Sequence, residues 1–296
     1  MNLIQIKEYL LKVVVIAIIL IPINTFGQQA WSQKKGESYL QLGSAYLTYS
    51  MLHVGNFEII DLPRPVSELV IASYSEYGIS DKLTGILNLP YHIVSVGELD
   101  TALTNLTFDK GCLSSLGNIT TGLLYNFYKK NSSVISARLD MTWNTSKREF
   151  NTGLSTGNNS MGISPSIAYG IGKKNYFFSA DFGANILFQN DYYSRINMNA
   201  QFGKRFLESK KMTFILGLGS STAFKFAEQE AIKKSAKDYT GLYVEEQSYV
   251  ALTLKLGYDF TPQWSIWTSM AGGEATNVGA GISSTLSIAY KFSKKK

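Results

Sequence analysis

The chain has 296 residues and a formal charge of +6, with 18 Tyr and 16 Phe but only two His and one Cys. One Cys excludes an internal disulfide framework, and so few soft ligands argue against a transition-metal site; no cofactor is expected. The basic residues are spread over turns and tail rather than massed on one element among aromatics, which argues against nucleic-acid binding.

In chain order, Lys7 and Lys12 precede the apolar run Val13–Ile21, Pro22 ends it, and Gly27-Gln28 offers a small residue for cleavage. A basic start, a short apolar core and a small residue at the cut describe a secretory signal peptide. The run falls well short of the about 20 apolar residues that span a bilayer. Residues 1–27 are therefore read as a signal peptide and 28–296 as a single domain, since no Pro/Gly/Ser linker divides the rest. Beyond the signal no apolar stretch approaches 18 residues, so a chain that enters a membrane here must do so as a closed sheet with every backbone group paired.

Alternation with a period of two recurs in segments near the ten-residue length of a tilted membrane strand. The pattern predicts about twelve strands, over residues 38–50, 66–79, 82–93, 115–129, 133–146, 161–172, 175–189, 192–206, 212–226, 247–260, 263–272 and 279–292. In 247–260, Val250, Leu252, Leu254, Leu256, Tyr258 and Phe260 share one face, and Thr253, Lys255 and Asp259 lie on the other. In 192–206 the polar face carries Arg195, Asn197, Asn199, Gln201 and Arg205, opposite Ile196, Met198, Phe202 and Phe206.

Short polar turns at 80–81, 130–132, 172–174, 208–211 and 261–262 alternate with longer connections at 51–65, 94–114, 147–160 and 227–246 and with shorter ones near Asn190 and Glu274. An even strand count with short turns on one side and longer loops on the other is the pattern of bacterial outer-membrane barrels. Tyr49, Tyr91, Tyr128, Trp143, Tyr192, Tyr193, Tyr258, Trp264 and Trp267 fall toward strand ends, as interfacial girdles do. A soluble sandwich or lipocalin-like barrel also alternates, but with strands of about 5–6 residues packed on an apolar core. The expected fold is all-β, a transmembrane up-and-down antiparallel β-barrel of about twelve strands in a Gram-negative outer membrane. Its lipid contacts the wall, and its C-terminal strand, ending Tyr290-Lys291-Phe292, would engage the barrel-assembly machinery.

The hairpin Glu76-Tyr77-Gly78-Ile79-Ser80-Asp81-Lys82-Leu83, followed by Leu89-Pro90-Tyr91, resembles the E-Y-G-[IL]-[ST]-D-[RK]-L…L-P-Y hairpin of outer-membrane proteins grouped with the meta-pathway of phenol degradation and of related transporters. Within it, Ser80-Asp81 can bond their own backbone and close a tight turn, Gly78 relieves crowding at the turn entrance, and Pro90 requires a strand end or bulge. The resemblance implies a channel for small, often hydrophobic or aromatic molecules.

Arg138 and Asp140 of the fifth strand, Asp181, Asn185 and Gln189 of the seventh, Arg195, Asn197, Asn199, Gln201 and Arg205 of the eighth, and Lys255 and Asp259 of the tenth form the candidate lumen wall. Mixed charge there suits an electrostatic filter or a plug of mutual salt bridges in a narrow barrel. Transport of a small solute is therefore weighed against a non-conducting barrel, structural, adhesive or secretion-associated, that works through its outer loops. A lipid-modifying enzyme ranks third. His53 is expected in the first outer loop and His92 near the outer end of the third strand, but a Ser–His pair also needs an orienting acid and an oxyanion donor. The one G-x-S-x-G match, Gly153-Leu154-Ser155-Thr156-Gly157, falls in the expected connection 147–160 and not at a strand-to-helix elbow, and His-Glu-x-x-His does not occur, so no catalytic residue is assigned. Glu98, Asp100 and Asp109 are spaced as ordinary loop charges rather than as a Ca²⁺ site, and the lysine pairs of the turns read as solvated charge.

Overall fold

The computed structural model describes residues 30–99, 109–188, 193–206, 211–224, 240–244 and 246–293. The expected signal peptide, Asp100, Gln189, Asn190, Tyr192, residues 208–210, most of 227–246 and the Lys294–Lys296 tail lie outside them.

The strands are β1 (Ser38–Gly55), β2 (Glu58–Gly78), β3 (Leu83–Val96), β4 (Gly111–Leu116), β5 (Ile119–Lys130), β6 (Ser133–Trp143), β7 (Arg148–Glu149), β8 (Leu154–Ser155), β9 (Gly162–Gly172), β10 (Tyr176–Leu187), β11 (Ser194–Phe206), β12 (Met212–Phe224), β13 (Ser248–Asp259), β14 (Trp264–Gly279) and β15 (Ser283–Phe292). β4 and β5 share one wall position, both pairing with β3, and β7–β8 is a separate small hairpin. The others pair antiparallel with their neighbours, and β1 meets β15 from Ser38↔Phe292 to Tyr46↔Ser284. The result is a closed twelve-stranded antiparallel barrel, as the alternation predicts.

Alternation decides which way each side chain faces. Leu42, Phe182, Met198, Leu218 and Leu286 stand outward and are each more than half exposed. Left in water, each such side chain would forgo about 1.5–3 kcal/mol of burial, so this exterior is a wall for lipid. Many inward positions are small or polar: Gln41, Thr84, Asn126, Ser136, Ser179 and Ser287 are all buried. Tyr91, Tyr128, Trp143, Tyr258 and Trp264 face out and form the expected girdle. Three of the expected girdle residues do not. Tyr49 and Tyr193 are buried, and Trp267 faces the lumen, because each occupies an inward register position or lies beyond the wall.

The short-turn end, periplasmic by the barrel rule, holds the start of β1 at Ser38 and the end of β15 at Phe292. The opposite end departs from expectation in three places. The segment 51–65 is not a loop but the upper part of a long hairpin that turns at Asn56-Phe57, with φ of 53° and 61°; positive φ at both central residues marks a type I′ turn. Glu274 lies inside β14, and the connection follows Gly279. Residues 147–160 carry β7–β8 and fold inward, with Leu154, Ser155 and Thr156 fully buried.

Pro90 sits in mid-strand, where the partner of β3 passes from β5 (up to Asn88) to β4 (from Tyr91). Its carbonyl accepts from Gly117 N, so its missing N–H faces the break between those two strands and costs the ladder little.

Candidate functional site

Two cavities run along the barrel interior. The upper one, about 330 Å³, is lined by Arg138, Asp140, Asp181, Asn185, Asn197 and Asn199 among others. The lower one, about 510 Å³, opens toward the periplasmic end and includes Arg205, Lys255 and Asp259. Gln201, Ile215, Lys255, Ser269 and Thr285 border both, so the chambers adjoin at mid-barrel. Ten of the eleven described residues expected on the lumen wall line one chamber or the other. The eleventh, Arg195, sits higher on β11 and donates from Nη2 to Gln247 Oε1 at 3.4 Å.

Several polar groups of the wall are paired with neighbours on the wall. Arg138 Nε donates to both oxygens of Asp140, at 2.9 and 2.8 Å, two residues along the same strand. Asn199 Nδ2 donates to Asp181 Oδ2 at 2.9 Å, and Gln201 Nε2 to Ser179 Oγ at 2.9 Å, each across one strand pair. These bonds hold the side chains against the wall instead of bridging the lumen.

The periplasmic end is covered by residues 30–36, and the hairpin motif seats them. Gln33 Nε2 donates to Glu76 Oε2 at 2.6 Å, and Lys35 N donates to Asp81 Oδ1 at 3.0 Å. Gly36 N donates to Gly78 O at 2.8 Å. A Cβ on Gly78 would stand 2.6 Å from Lys34 C and 2.9 Å from Gln33 O, and closer still to Lys34 O; only glycine fits beneath this segment. Further in, Gln33 N bonds Thr84 Oγ1, Ser32 N bonds Asn126 Oδ1, and Ala30 O accepts from Asn126 Nδ2 and Ser136 Oγ. Trp31 packs edge-on to Phe177 at 6.3 Å between centroids. The turn role expected of Ser80 holds, its Oγ accepting from Leu83 N at 3.1 Å. Gly78 and Asp81 have a different task from the one expected: they hold the N-terminal segment.

The outer end is covered from the other side. Leu154 and Leu242 pack with Tyr49, Leu52, Leu62, Val66, Val94 and Val96 into an apolar cluster. Arg64, 1% exposed, donates from Nη1 to Asp109 O at 3.0 Å and from Nη2 to Thr152 O at 2.5 Å. Tyr49 OH donates to Thr240 O at 2.7 Å, and Thr240 Oγ1 donates to Gly153 O at 3.3 Å, so the two inward loops also touch each other. Beneath them His92 Nδ1 stands 2.7 Å from Glu68 Oε1, and Tyr243 OH lies 3.2 Å from Glu68 Oε1 and 3.3 Å from His92 Nδ1. His92 thus belongs to a tether between wall and loop. His53 is not in a loop; it is buried in β1, with Nδ1 3.4 Å from Glu274 Oε2.

Arg64, Glu68, Tyr243 and segment 30–36 were not singled out by sequence reasoning. Glu68 and Glu76 do carry a signal, since both fall on the β2 face shared with Val66, Val70 and Tyr74, where a carboxylate inside a lipid-facing wall demands a partner. Tyr243 and Ala30–Gly36 lie outside any alternating segment and carry none.

The model of the family described as "Putative MetA-pathway of phenol degradation" matches residues 67–288. No curated protein matches the sequence. Among solved structures, an outer membrane channel from Pseudomonas putida F1 is similar over 91% of this chain and 100% of its own, at 15% identity and a TM-score of 0.66. The translocator domain of the autotransporter NalP from Neisseria meningitidis is similar over 88% of this chain and 90% of its own, at 7% identity and a TM-score of 0.50. The toluene transporter TodX of Pseudomonas putida covers 88% of this chain and 90% of its own, at 10% identity and a TM-score of 0.45.

Proposed function

The chain belongs to that phenol-degradation family, and from that premise we propose that it is an outer-membrane channel for passive movement of small solutes. The observation that carries this reading is the pair of adjoining chambers inside a wall where Arg138 pairs with Asp140 and Asn199 with Asp181 along the wall and not across the lumen. A barrel filled by its own side chains, as small ones are, would leave no such space. Arg138, Asp140, Asp181, Asn185, Asn197, Asn199 and Gln201 form the polar upper path. Arg205, Lys255 and Asp259 form the lower one. Passage requires the N-terminal segment at one end and the loops bearing Leu154 and Leu242 at the other to give way, so solute size is set by the covers more than by the barrel. The partners of the protein in this reading are outer-membrane lipid around the wall and the assembly machinery that inserts it.

A liposome-swelling assay on the refolded mature protein tests this. Entry that falls off steeply across a graded series of small solutes is the expected result. Swelling no faster than in protein-free liposomes would favour a sealed barrel acting through its outer loops.

A further inference from the structure

The periplasmic-end chamber differs in chemistry from the one above it. Its walls carry Trp31, Phe177 and Trp267, and each ring lies over a glycine: Phe177 and Trp267 over their cross-strand partners Gly203 and Gly257, and Trp31 over Gly170 of β9. A Cβ on Gly170 would stand 2.8 Å from Trp31 Cζ2, and one on Gly257 2.5 Å from Trp267 Cε3; one on Gly203 would fall 2.9 Å from Phe177 Cδ1 and nearer to other ring atoms. The rings therefore line the chamber instead of filling it. The polar edge of Trp267 is already satisfied, since Nε1 donates to Ser265 Oγ at 2.9 Å, so its exposed surface is the π face.

The charges in the same chamber do not balance. Lys173, Arg205, Lys255 and Lys291 line it, against Glu76 and Asp259. Glu76 has both oxygens engaged, one by Gln33 Nε2 at 2.6 Å and the other by Tyr74 OH at 2.6 Å. Outside the mouth, the turns of this end add Lys82, Lys129, Lys130 and Lys174, which raise the local concentration of anions. In the upper chamber, by contrast, Arg138 is paired with Asp140, and Asp181 stands against Lys255, which both chambers share; without Lys255 the lower chamber still holds Lys173, Arg205 and Lys291 against Glu76 and Asp259. A cation surplus beside aromatic faces inside the barrel suits a ligand that carries both a π system and a negative charge. The volume of 510 Å³ falls in the range of about 300–1,000 Å³ typical of small-molecule sites.

We infer that this chamber binds small aromatic carboxylates, the ring among Trp31, Phe177 and Trp267 and the carboxylate toward Lys255 and Arg205. The inference deepens the channel reading and rests on it, because it treats the lumen as a place where solute resides. Neutral aromatics of the same size bind more weakly for want of the charge, and saturated carboxylates for want of the π face.

Calorimetric titration of the refolded mature protein in detergent tests this with three ligands: benzoate, benzyl alcohol and cyclohexanecarboxylate. Benzoate is expected to bind at least tenfold tighter than either of the others. In a Lys255→Gln/Arg205→Gln double variant that keeps heat-modifiable barrel migration, benzoate falls to the level of benzyl alcohol. Equal affinity for benzoate and benzyl alcohol in the natural protein, or no binding of benzoate at millimolar concentration, overturns the inference. The three-ligand comparison needs no variant, so a misfolded double variant does not affect it. Swelling without benzoate binding would leave the channel standing and remove this site. Binding without swelling would do the reverse.

Discussion

Replacing Gly78 with Ala should lift the N-terminal segment off the periplasmic mouth. The new methyl would collide with the backbone of Gln33 and Lys34, and backbone cannot rotate aside as a side chain can. Relieving the overlap means moving the segment, which strains the bonds of Gly36 N to Gly78 O, Lys35 N to Asp81 and Gln33 Nε2 to Glu76. Three such bonds at about 1 kcal/mol each come to about 3 kcal/mol of docking, or roughly a hundredfold more of the undocked state. Lys34 and Lys35 supply the assay, since trypsin cuts after both once the segment is free, and mass spectrometry of the refolded barrel reads the fraction cut. Gly85→Ala is the control in the same hairpin, because its Cβ would meet only Ile79 Cδ1 at 3.5 Å and Tyr77 O at 3.9 Å. The reasoning is refuted if Gly78→Ala stays as protected as Gly85→Ala and the natural protein.

Arg64→Met should free the outer cover, since two carbonyls lose a charged donor at about 1.5–3 kcal/mol each; amide exchange around Thr152 should rise while the barrel strands stay protected. Arg205→Glu should move the ion preference of the lumen toward cations, as measured by reversal potential across a salt gradient; an unchanged potential would remove Arg205 from the path. At the outer surface, Lys110 donates to Glu98 at 2.5 Å and holds that carboxyl below its usual range. Below that lowered range Glu98 protonates and the pair is lost. Both groups are fully solvated, so Lys110→Ala should leave the thermal midpoint unchanged at moderate salt.

The wall of this protein was legible from sequence because period-two alternation is itself the cause of the wall. Lipid on one side and a polar lumen on the other leave no other arrangement for Val250, Leu252 and Leu254 against Thr253 and Lys255. Strand ends were less legible where strands run beyond the bilayer. There the Asn56-Phe57 turn and the upper part of β14 lose their lipid-facing periodicity yet stay paired. The covers were not legible at all. Segment 30–36 and residues 240–244 have no periodicity of their own, and their placement depends on contacts with residues tens to hundreds of positions away, such as Gln33 with Glu76 and Thr240 with Tyr49. The hairpin motif shows both cases at once. Ser80 serves the turn it sits in, which local chemistry announces; Gly78 and Asp81 serve a distant segment, which it does not.

Single-channel recording from the refolded protein in a planar bilayer bears most directly on whether solute moves through the lumen. Discrete current steps of reproducible size, with a preference for anions set by the lysine and arginine surplus of the lower chamber, are the expected result. A correctly folded barrel that stays silent at every voltage, or one that prefers cations, would contradict the proposal.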